Sequence, residues 1–142
     1  RVRRAEVEVD GEAIAAIGPG LCVFLGVGPQ DGVATADALA RKVAELRILA
    51  DGEGRTNRSL LDTGGAALVV SQFTLYADTR RGRRPGCPGA AAPADAIPLY
   101  ERFWAALEGL GVTVGRGRFG AEMAVELVNE GPFTIWLDTD QG

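Results

Sequence analysis

Residues 66–75 read Ala-Ala-Leu-Val-Val-Ser-Gln-Phe-Thr-Leu, in which five apolar residues run directly into a polar group. A short, continuous apolar run predicts a buried strand. Polar side chains that follow such a strand are well placed to project into a pocket, although they can also simply end the strand. The stretch therefore predicts a buried strand over 66–70 and candidate site residues directly after it: Ser71, Gln72, Phe73 and Thr74.

Further strands are predicted on both sides of this stretch. Val7 and Val9 alternate with acidic residues up to Gly11, which indicates a half-exposed strand that turns and returns over 13–17. Residues 21–27 are apolar except for one glycine and predict a second buried strand. The last third of the chain is predicted to contain strands over 112–114, 121–128 and 133–137.

Two helices are predicted between the strands, because apolar residues recur there at spacings of three and four. The first is predicted to end at Asp51, and the second to begin after an N-cap at Asp95. Two helices among six to eight strands indicate an α/β fold, a single compact domain over residues 1–142. The apolar faces consist of Leu39, Val43, Leu46 and Ala50 in the first helix and Leu99, Phe103, Leu107 and Leu110 in the second.

The composition excludes several kinds of chemistry. The 142 residues include 15 basic and 19 acidic side chains, for a net charge of −4, and no histidine. Without histidine there is no imidazole acid or base, so hydrolysis would use hydroxyls, carboxylates, backbone dipoles or groups of the substrate. No metal and no cofactor are predicted. The negative balance argues against general nucleic-acid binding, and no DNA partner is predicted.

A cluster of arginines interrupts this acidic chain. Arg80, Arg81, Arg83 and Arg84 lie within five residues, in a loop predicted from 79 to about 93. Such a cluster is more often a solvated loop than a binding site. Its nearness to the predicted strand end at Thr74 favours an anionic ligand, whose phosphates arginine would position without reading a base sequence.

Cysteine usage and hydropathy indicate the compartment. Cys22 and Cys87 form neither a disulfide framework nor a C-x-x-C motif, which favours a reduced, cytoplasmic location. No apolar stretch approaches the roughly 20 residues of a membrane span, so no membrane partner is predicted. The chain starts at Arg1, partway along the predicted first strand and without the apolar core of a signal peptide.

Two glycine-containing motifs are weak signals when they are taken alone. Residues 115–120 match the dinucleotide fingerprint G-x-G-x-x-G, but that site needs a helix after it and an alternating strand follows here. Gly131-Pro132 joins two predicted strands, and such a pair is usually only a turn. If its peptide bond is cis, two adjacent carbonyls would be held in a fixed pose that a ligand's amino group could contact.

Taken together, the segments resemble the D-aminoacyl-tRNA deacylases, also called D-tyrosyl-tRNA deacylases. The combination of Ser-Gln-Phe-Thr-Leu with Asn-x-Gly-Pro-x-Thr is specific to that family. The matching segments, in family order, are Arg1-Val2 with Arg4-Ala5, Ser71-Gln72-Phe73-Thr74-Leu75 with Ala77-Asp78-Thr79, Arg81-Gly82 with Arg84-Pro85, Gly117-Arg118-Phe119-Gly120-Ala121 with Met123, and Val128-Asn129 with Gly131-Pro132 and Thr134.

The resemblance implies mixed β-sheets in a barrel-like arrangement with two main α-helices, in a homodimer. It implies hydrolysis of the ester between a D-amino acid and the terminal ribose of tRNA, and removal of glycine from mischarged tRNA. In that family the Gly-Pro bond is cis and its loop enters the partner's active site. Gly131 and Pro132 would therefore reject L-aminoacyl esters, and Arg1 matches the arginine that braces this loop.

The resemblance also implies roles for the other candidate residues. Ser71, Gln72, Phe73 and Thr74 would line the reaction centre, with Phe119 and Met123 beside the adenosine and the aminoacyl group. Arg81, Arg83 and Arg84 are the candidate tRNA contacts.

Two mechanisms are open for such a site. In one, the hydroxyl of Thr74 attacks the ester. In the other, the ribose 2′-hydroxyl of the tRNA helps to activate water, and backbone N–H groups near Phe73 and Thr74 hold the oxyanion. The second is favoured, because no neighbouring base in the sequence would activate Thr74.

Other functions compete with this prediction. A non-catalytic module that binds the tRNA acceptor end would bind charged and uncharged tRNA alike without ester turnover. A dimeric scaffold with a merely solvated arginine loop would bind no tRNA even at low salt. A relative with relaxed chirality would cleave L-aminoacyl esters as well.

Overall fold

The computed structural model describes residues 1–141. Its strands in chain order are β1 (Val2–Val9), β2 (Glu12–Ile17), β3 (Gly20–Leu25), β4 (Leu49–Ala50), β5 (Thr56–Arg58), β6 (Ala66–Ser71), β7 (Thr113–Arg116) and β8 (Ala124–Asn129). Its α-helices are α1 (Val33–Glu45), α2 (Leu60–Thr63) and α3 (Pro93–Gly109), and short 3₁₀ helices cover Phe73–Tyr76 and Thr139–Gln141.

One mixed sheet of six strands forms the centre of the fold. Its order is β2-β1-β3-β6-β7, with β8 paired to β1. Strands β3, β6 and β7 run parallel, whereas β1 runs antiparallel to β2, β3 and β8. Strands β4 and β5 form a separate antiparallel pair. The predicted mixed α/β fold is confirmed, and the three parallel strands end at one edge of the sheet.

Strand β6 is buried on both faces, as its unbroken apolar sequence predicts. Val69 faces the helices and packs in one core cluster with Phe103 and Leu107 of α3. Leu68 and Val70 face the opposite way, into a second cluster with the apolar residues of β1. The helices are crossover connections, since parallel strands cannot be joined by a tight turn.

The sheet curls toward a barrel, which confirms the barrel-like arrangement. Gly115 of β7 lies so close to β2 that a Cβ at this position would be 3.4 Å from Ile17 and 3.5 Å from Ala15. The two ends of the strand order therefore approach each other.

Both predicted helices exist, but their ends differ from the prediction. Helix α1 ends at Glu45 and not at Asp51, because Leu49–Ala50 pair with Thr56–Arg58 instead of continuing the helix. Helix α3 begins at Pro93, with Ala92 as its N-cap, so Asp95 lies in the first turn and is not the cap. Proline fits the first helical position because its missing N–H has no partner there.

The short helix α2 was not predicted. Ser59 is its N-cap and accepts a hydrogen bond from the backbone N–H of Asp62, whose carboxylate accepts one from the backbone N–H of Ser59. Gly64 follows with a φ of 70° and ends the helix. The Ser-Leu-Leu-Asp sequence carries this capping box.

The strand predicted over 133–137 is wrong. These residues pair with no strand in the described part of the chain. The backbone nitrogen of Arg1 instead donates a hydrogen bond to the carbonyl of Phe133 at 3.0 Å, and the chain then runs beside β3 as an irregular segment. Strand β8 begins three residues later than predicted, at Ala124. Within residues 1–141, no helix is long and apolar enough to span a membrane.

Candidate active site

The predicted polar residues lie at the carboxyl end of β6. Ser71 is opposite Leu25, the last residue of β3, and the backbone N–H of Gln72 donates to the carbonyl of Leu25 at 2.7 Å. The chain then turns into the 3₁₀ helix that contains Phe73 and Thr74. In open α/β sheets this edge, outside the carboxyl ends of the parallel strands, is where ligands bind.

The turn leaves two backbone donors without a partner. The first hydrogen bond of the turn runs from the N–H of Leu75 to the carbonyl of Gln72 at 3.2 Å. The N–H groups of Phe73 and Thr74 find no backbone or side-chain acceptor among residues 1–141. The first N–H groups of a helix have no acceptor within it. Since both residues are exposed, these donors are available to an oxygen atom of a ligand.

The hydroxyl of Thr74 has no base beside it. Its hydrogen-bond partner among the described residues is the side-chain amide nitrogen of Gln72. Neither the oxygen nor the nitrogen of a side-chain amide is a base at neutral pH, so Gln72 does not take a proton from Thr74. Burial, followed by the negative charge of Asp31, raises the pKa of the nearby Tyr76, whose hydroxyl therefore stays protonated near neutral pH.

The loop after β7 reaches the same edge of the sheet. The N–H of Gly117 donates to the carbonyl of Val69 at 3.0 Å, two residues before Ser71. Phe119 lies on the helical side of this loop, where its ring is tilted against Tyr100 with 6.0 Å between ring centroids. Met123 packs on the other side, against the core cluster of β1.

The Gly131-Pro132 corner is held by Arg1. The peptide bond between Gly131 and Pro132 is cis. The guanidinium of Arg1 donates to the carbonyls of Glu130 at 2.8 Å, Ile48 at 3.1 Å and Gly131 at 3.2 Å. It also lies 4.7 Å from the centre of the Phe133 ring, a cation–π contact. Gly131 and Pro132 themselves are exposed.

The corner and the Ser71–Thr74 segment are at different ends of the sheet. Asn129, two residues before Gly131, pairs with Val2, which pairs in turn with Gly20 at the start of β3. Ser71 pairs with the other end of β3, five residues further on. At about 3.3 Å per residue, this is about 16 Å along the strand. Within one chain, the structure does not bring these two groups of predicted site residues together.

The arginine loop is closed at its base. Asp78 and Gly86 exchange two backbone hydrogen bonds, at 2.6 and 3.1 Å. The guanidinium of Arg80 donates to both carboxylate oxygens of Asp78, at 2.9 and 2.8 Å, and so holds the pKa of that carboxyl below its usual range. The loop tip carries three further exposed arginines, Arg81, Arg83 and Arg84.

The chain matches one protein family over nearly its whole length. The family model described as D-Tyr-tRNA(Tyr) deacylase matches residues 1–138. The chain belongs to this deacylase family. The prediction from the motifs is confirmed.

Curated relatives match nearly the whole chain. A D-aminoacyl-tRNA deacylase of Roseiflexus castenholzii is 63% identical over 139 residues, which cover 98% of this chain and 88% of the relative. A D-aminoacyl-tRNA deacylase of Deinococcus radiodurans is 55% identical over 138 residues, covering 97% and 95% of the two chains.

Two solved structures share the fold of this deacylase family member. One is titled c-Myc DNA Unwinding Element Binding Protein, with a TM-score of 0.90 and 36% identity, and covers 98% of this chain and 95% of its own. The other is titled a probable eukaryotic D-amino acid tRNA deacylase, with a TM-score of 0.76 over 92% and 91% of the two chains. Its 16% identity supports the fold alone.

A cavity of about 710 Å³ in this deacylase extends to the Ser71–Thr74 edge, where Leu25, Leu75 and Tyr76 line it. It runs beside β3, between α1 and residues 134–139, and its walls are mainly apolar. Arg1 lines it, but Ser71, Thr74 and Phe119 do not. The cavity therefore runs from Arg1 at one end of β3 to the immediate neighbours of Ser71 and Thr74 at the other end.

The sequence interpretation missed two residues that organise the site. Asp78 engages Arg80, so that arginine differs from its three neighbours. The hydroxyl of Tyr100 reaches the carbonyls of Val69 and Gly117. Tyr100 could have been found from the sequence, because it lies among the apolar residues of the predicted second helix and a buried tyrosine hydroxyl needs a hydrogen-bond partner.

Proposed function

We propose that this D-aminoacyl-tRNA deacylase rejects L-aminoacyl esters with the Gly131-Pro132 corner of a second copy, and that it also removes glycine from mischarged tRNA. The family's reaction is hydrolysis of the ester between a D-amino acid and tRNA. The observation that carries the proposal is the separation of the corner from the Ser71–Thr74 segment along β3.

The reaction needs no side-chain base in this proposal. An aminoacyl ester is already activated, so holding it in place and stabilising the developing oxyanion supply much of the rate. The unpaired N–H groups of Phe73 and Thr74 support an oxyanion site at the start of the 3₁₀ helix. The ribose 2′-hydroxyl of the tRNA helps to activate the attacking water. Gln72 and the backbone of Thr74 orient the ester, with Ser71 behind them at the strand end.

The corner comes from the partner of a homodimer. Gly131 and Pro132 are exposed in the single chain, as a corner that enters another protomer must be. A two-fold dimer that places one corner on the partner's Ser71–Thr74 segment does the same in the opposite direction, because the contact is isologous. Each of the two active sites is then complete only in the dimer.

A rigid corner separates the two mirror-image substrates. D- and L-aminoacyl esters carry the same groups, so a pocket that merely attracts the side chain distinguishes them poorly. A backbone wall at Gly131 collides with the L side chain and leaves the D side chain free toward solvent. Glycine has no side chain and passes, which is why Gly-tRNA is included as a substrate.

The rest of the substrate contacts the loops around this edge. Phe119 and Met123 lie beside the terminal adenosine and the aminoacyl group. Arg81, Arg83 and Arg84 contact tRNA phosphates, which the exposed loop tip supports. We also propose a cytoplasmic location, since both cysteines are free thiols.

A mixed dimer tests the shared site. One chain carries Arg1→Ala, which loosens the corner, and the other carries Phe73→Pro, which removes a proposed oxyanion donor. The two chains bear different tags, so that the heterodimer can be isolated. Its one competent reaction centre is on the Arg1→Ala chain and receives the intact corner of the Phe73→Pro chain. We expect this heterodimer to cleave D-Tyr-tRNA and to reject L-Tyr-tRNA.

Both homodimers serve as controls. The Arg1→Ala homodimer is expected to cleave D- and L-Tyr-tRNA, and the Phe73→Pro homodimer to cleave neither at an appreciable rate. A heterodimer that cleaves both esters would show that each corner acts within its own chain. A chain that stays monomeric, or wild-type protein without turnover of D-Tyr-tRNA, would also contradict the proposal.

A further inference from the structure

Tyr100 joins the two segments that the proposed function assigns to the substrate. It lies on α3, is 4% exposed, and belongs to the core cluster of Phe103 and Leu107. Its hydroxyl is 3.0 Å from the carbonyl oxygen of Val69 and 3.3 Å from that of Gly117. One proton is thus shared between the strand before Ser71 and the loop before Phe119.

The side chain of Tyr100 also touches that loop directly. Its ring is tilted by 55° against the ring of Phe119, with 6.0 Å between the centroids, a geometry that aromatic pairs favour. Phe119 is half-buried, and it packs against the same cluster. Tyr100 therefore positions the Phe119 ring in two ways: through the hydrogen bond to Gly117 in the same loop, and through the contact between the two rings.

The strand and the loop depend on this hydroxyl to different degrees. Val69 lies in β6, which is paired on both sides, and its carbonyl also accepts the N–H of Gly117. Beyond Gly117 the chain leaves β7 and passes through Gly120, whose φ is +79°. Loss of the Tyr100 hydroxyl therefore leaves the strand in place and loosens the loop.

We infer that Tyr100 is a positioning residue, which holds Phe119 at the distance from the Ser71–Thr74 segment that substrate binding requires. The inference rests on the proposed contact of Phe119 with the substrate. It assigns Tyr100 no contact with the reacting atoms. Burial raises the pKa of Tyr100, so the hydroxyl remains a donor throughout the neutral range.

A double-mutant cycle tests this role. Tyr100→Phe, Phe119→Ala and the double variant are compared with the wild type in steady-state deacylation of D-Tyr-tRNA. We expect Tyr100→Phe to raise KM about three- to tenfold, the range of one net hydrogen bond, and to change kcat less than about twofold. In the Phe119→Ala background the same substitution should change KM less than about twofold, because the ring it positions is absent.

Phe103→Leu is the matched control. Phe103 lies one turn further along α3 in the same cluster and is 1% exposed, but within residues 1–141 it makes no hydrogen bond or aromatic ring pair with the loop. We expect it to lower the melting temperature at least as much as Tyr100→Phe and to leave KM unchanged. A merely structural role for Tyr100 would move KM no more than this control does.

The outcomes separate the inference from the proposed function. Equal KM effects of Tyr100→Phe in both backgrounds, or a loss of kcat at unchanged KM, would overturn the role of Tyr100 alone. A Phe119→Ala variant with wild-type KM would overturn the substrate contact of Phe119, and the role of Tyr100 with it.

Discussion

The guanidinium of Arg1 donates a hydrogen bond of 3.2 Å to the carbonyl oxygen of Gly131. Two further hydrogen bonds, to the carbonyls of Glu130 and Ile48, fix the same guanidinium from other directions. The corner thus depends on a planar group with several donors in fixed positions, which arginine supplies and lysine does not.

We expect Arg1→Ala to reduce discrimination between D- and L-Tyr-tRNA. Hydrogen bonds from charged donors contribute about 1.5–3 kcal/mol each, so loss of the two bonds at the corner should lower the D-to-L ratio of kcat/KM by about tenfold or more. The D-to-L ratio of kcat/KM for Arg1→Lys should lie between the ratios of the wild type and of Arg1→Ala. Both ratios come from parallel deacylation assays with the same tRNA.

Arg4→Ala is the control for this prediction. Arg4 lies three residues further along the chain, on β1, and its partner is the exposed carboxylate of Glu126 at 2.6 Å. Exposed ion pairs contribute little to stability. The D-to-L ratio should stay at the wild-type value, and an equal fall in both variants would contradict the role of Arg1.

The amide of Phe73 can be removed without removing the helix turn. Proline lacks the N–H and is tolerated at the first helical position, and Gln72, with φ of −146° and ψ of 78°, is outside the α region that proline disfavours in the residue before it. Phe73→Ala keeps the N–H and loses the same ring. We expect kcat for D-Tyr-tRNA to be about 100-fold lower for Phe73→Pro than for Phe73→Ala, the usual cost of one oxyanion donor. Equal rates would exclude this N–H from the mechanism.

The hydroxyl of Thr74 should be dispensable. Its partner is the amide of Gln72, which is no base, so Thr74→Val is expected to keep kcat within about threefold of the wild type. Thr113→Val, on the exposed start of β7, is the control for the same exchange elsewhere. A loss of about a thousandfold in Thr74→Val alone would instead support attack by the threonine hydroxyl.

The arginine loop should set the salt dependence of tRNA binding. Replacing Arg81, Arg83 and Arg84 together by alanine should weaken binding, and should reduce the slope of log affinity against log salt by about one for each lost phosphate contact. Filter binding of deacylated tRNA at several salt concentrations measures this slope. Arg80→Ala should change it less, because Arg80 is already engaged by Asp78.

A second triple variant controls for net charge. Arg41, Arg55 and Arg58 lie outside the loop, on α1, just before β5 and on β5. Their replacement by alanine changes the net charge by the same amount. If this variant lowered the salt slope equally, the effect would come from overall charge and not from the loop.

The sequence predicted the parts of the site that are continuous in the chain. The apolar run of β6 predicts a buried strand. The structure places the polar group at the end of that strand, as predicted: Ser71, Gln72, Phe73 and Thr74. The apolar spacing also located α1 and α3. The ends of these helices were less predictable. Ala50, for example, fits the helical spacing of α1 but pairs with Thr56 in a strand.

Contacts between distant segments could not be predicted in this way. The alternation of Phe133, Ile135 and Leu137 is typical of a strand, but a strand also needs a partner, and no strand among the described residues pairs with this segment. The bonds from Arg1 to the corner span about 130 residues of chain. Periodicity gives no information on such pairs, and only the resemblance to a family pointed to them.

The capping box of α2 makes part of the stability depend on pH. The backbone N–H of Ser59 donates to the carboxylate of Asp62 at 2.9 Å and holds its pKa below the usual range. Because the pKa is lower in the folded state, this carboxylate stabilises the fold above about pH 4 and loses that effect as the pH falls through the folded pKa. Asp62→Asn still accepts a hydrogen bond but does not titrate.

We therefore expect the difference in unfolding free energy between wild type and Asp62→Asn to be largest near pH 7 and to shrink between pH 4 and 3. Urea unfolding followed by circular dichroism measures it at each pH. Ser59→Ala removes the buried hydroxyl that accepts the N–H of Asp62 at 3.1 Å, and should cost about 1 kcal/mol at pH 7. A wild-type to Asp62→Asn difference that stayed constant from pH 7 to 3 would show that the carboxylate charge does not stabilise this cap.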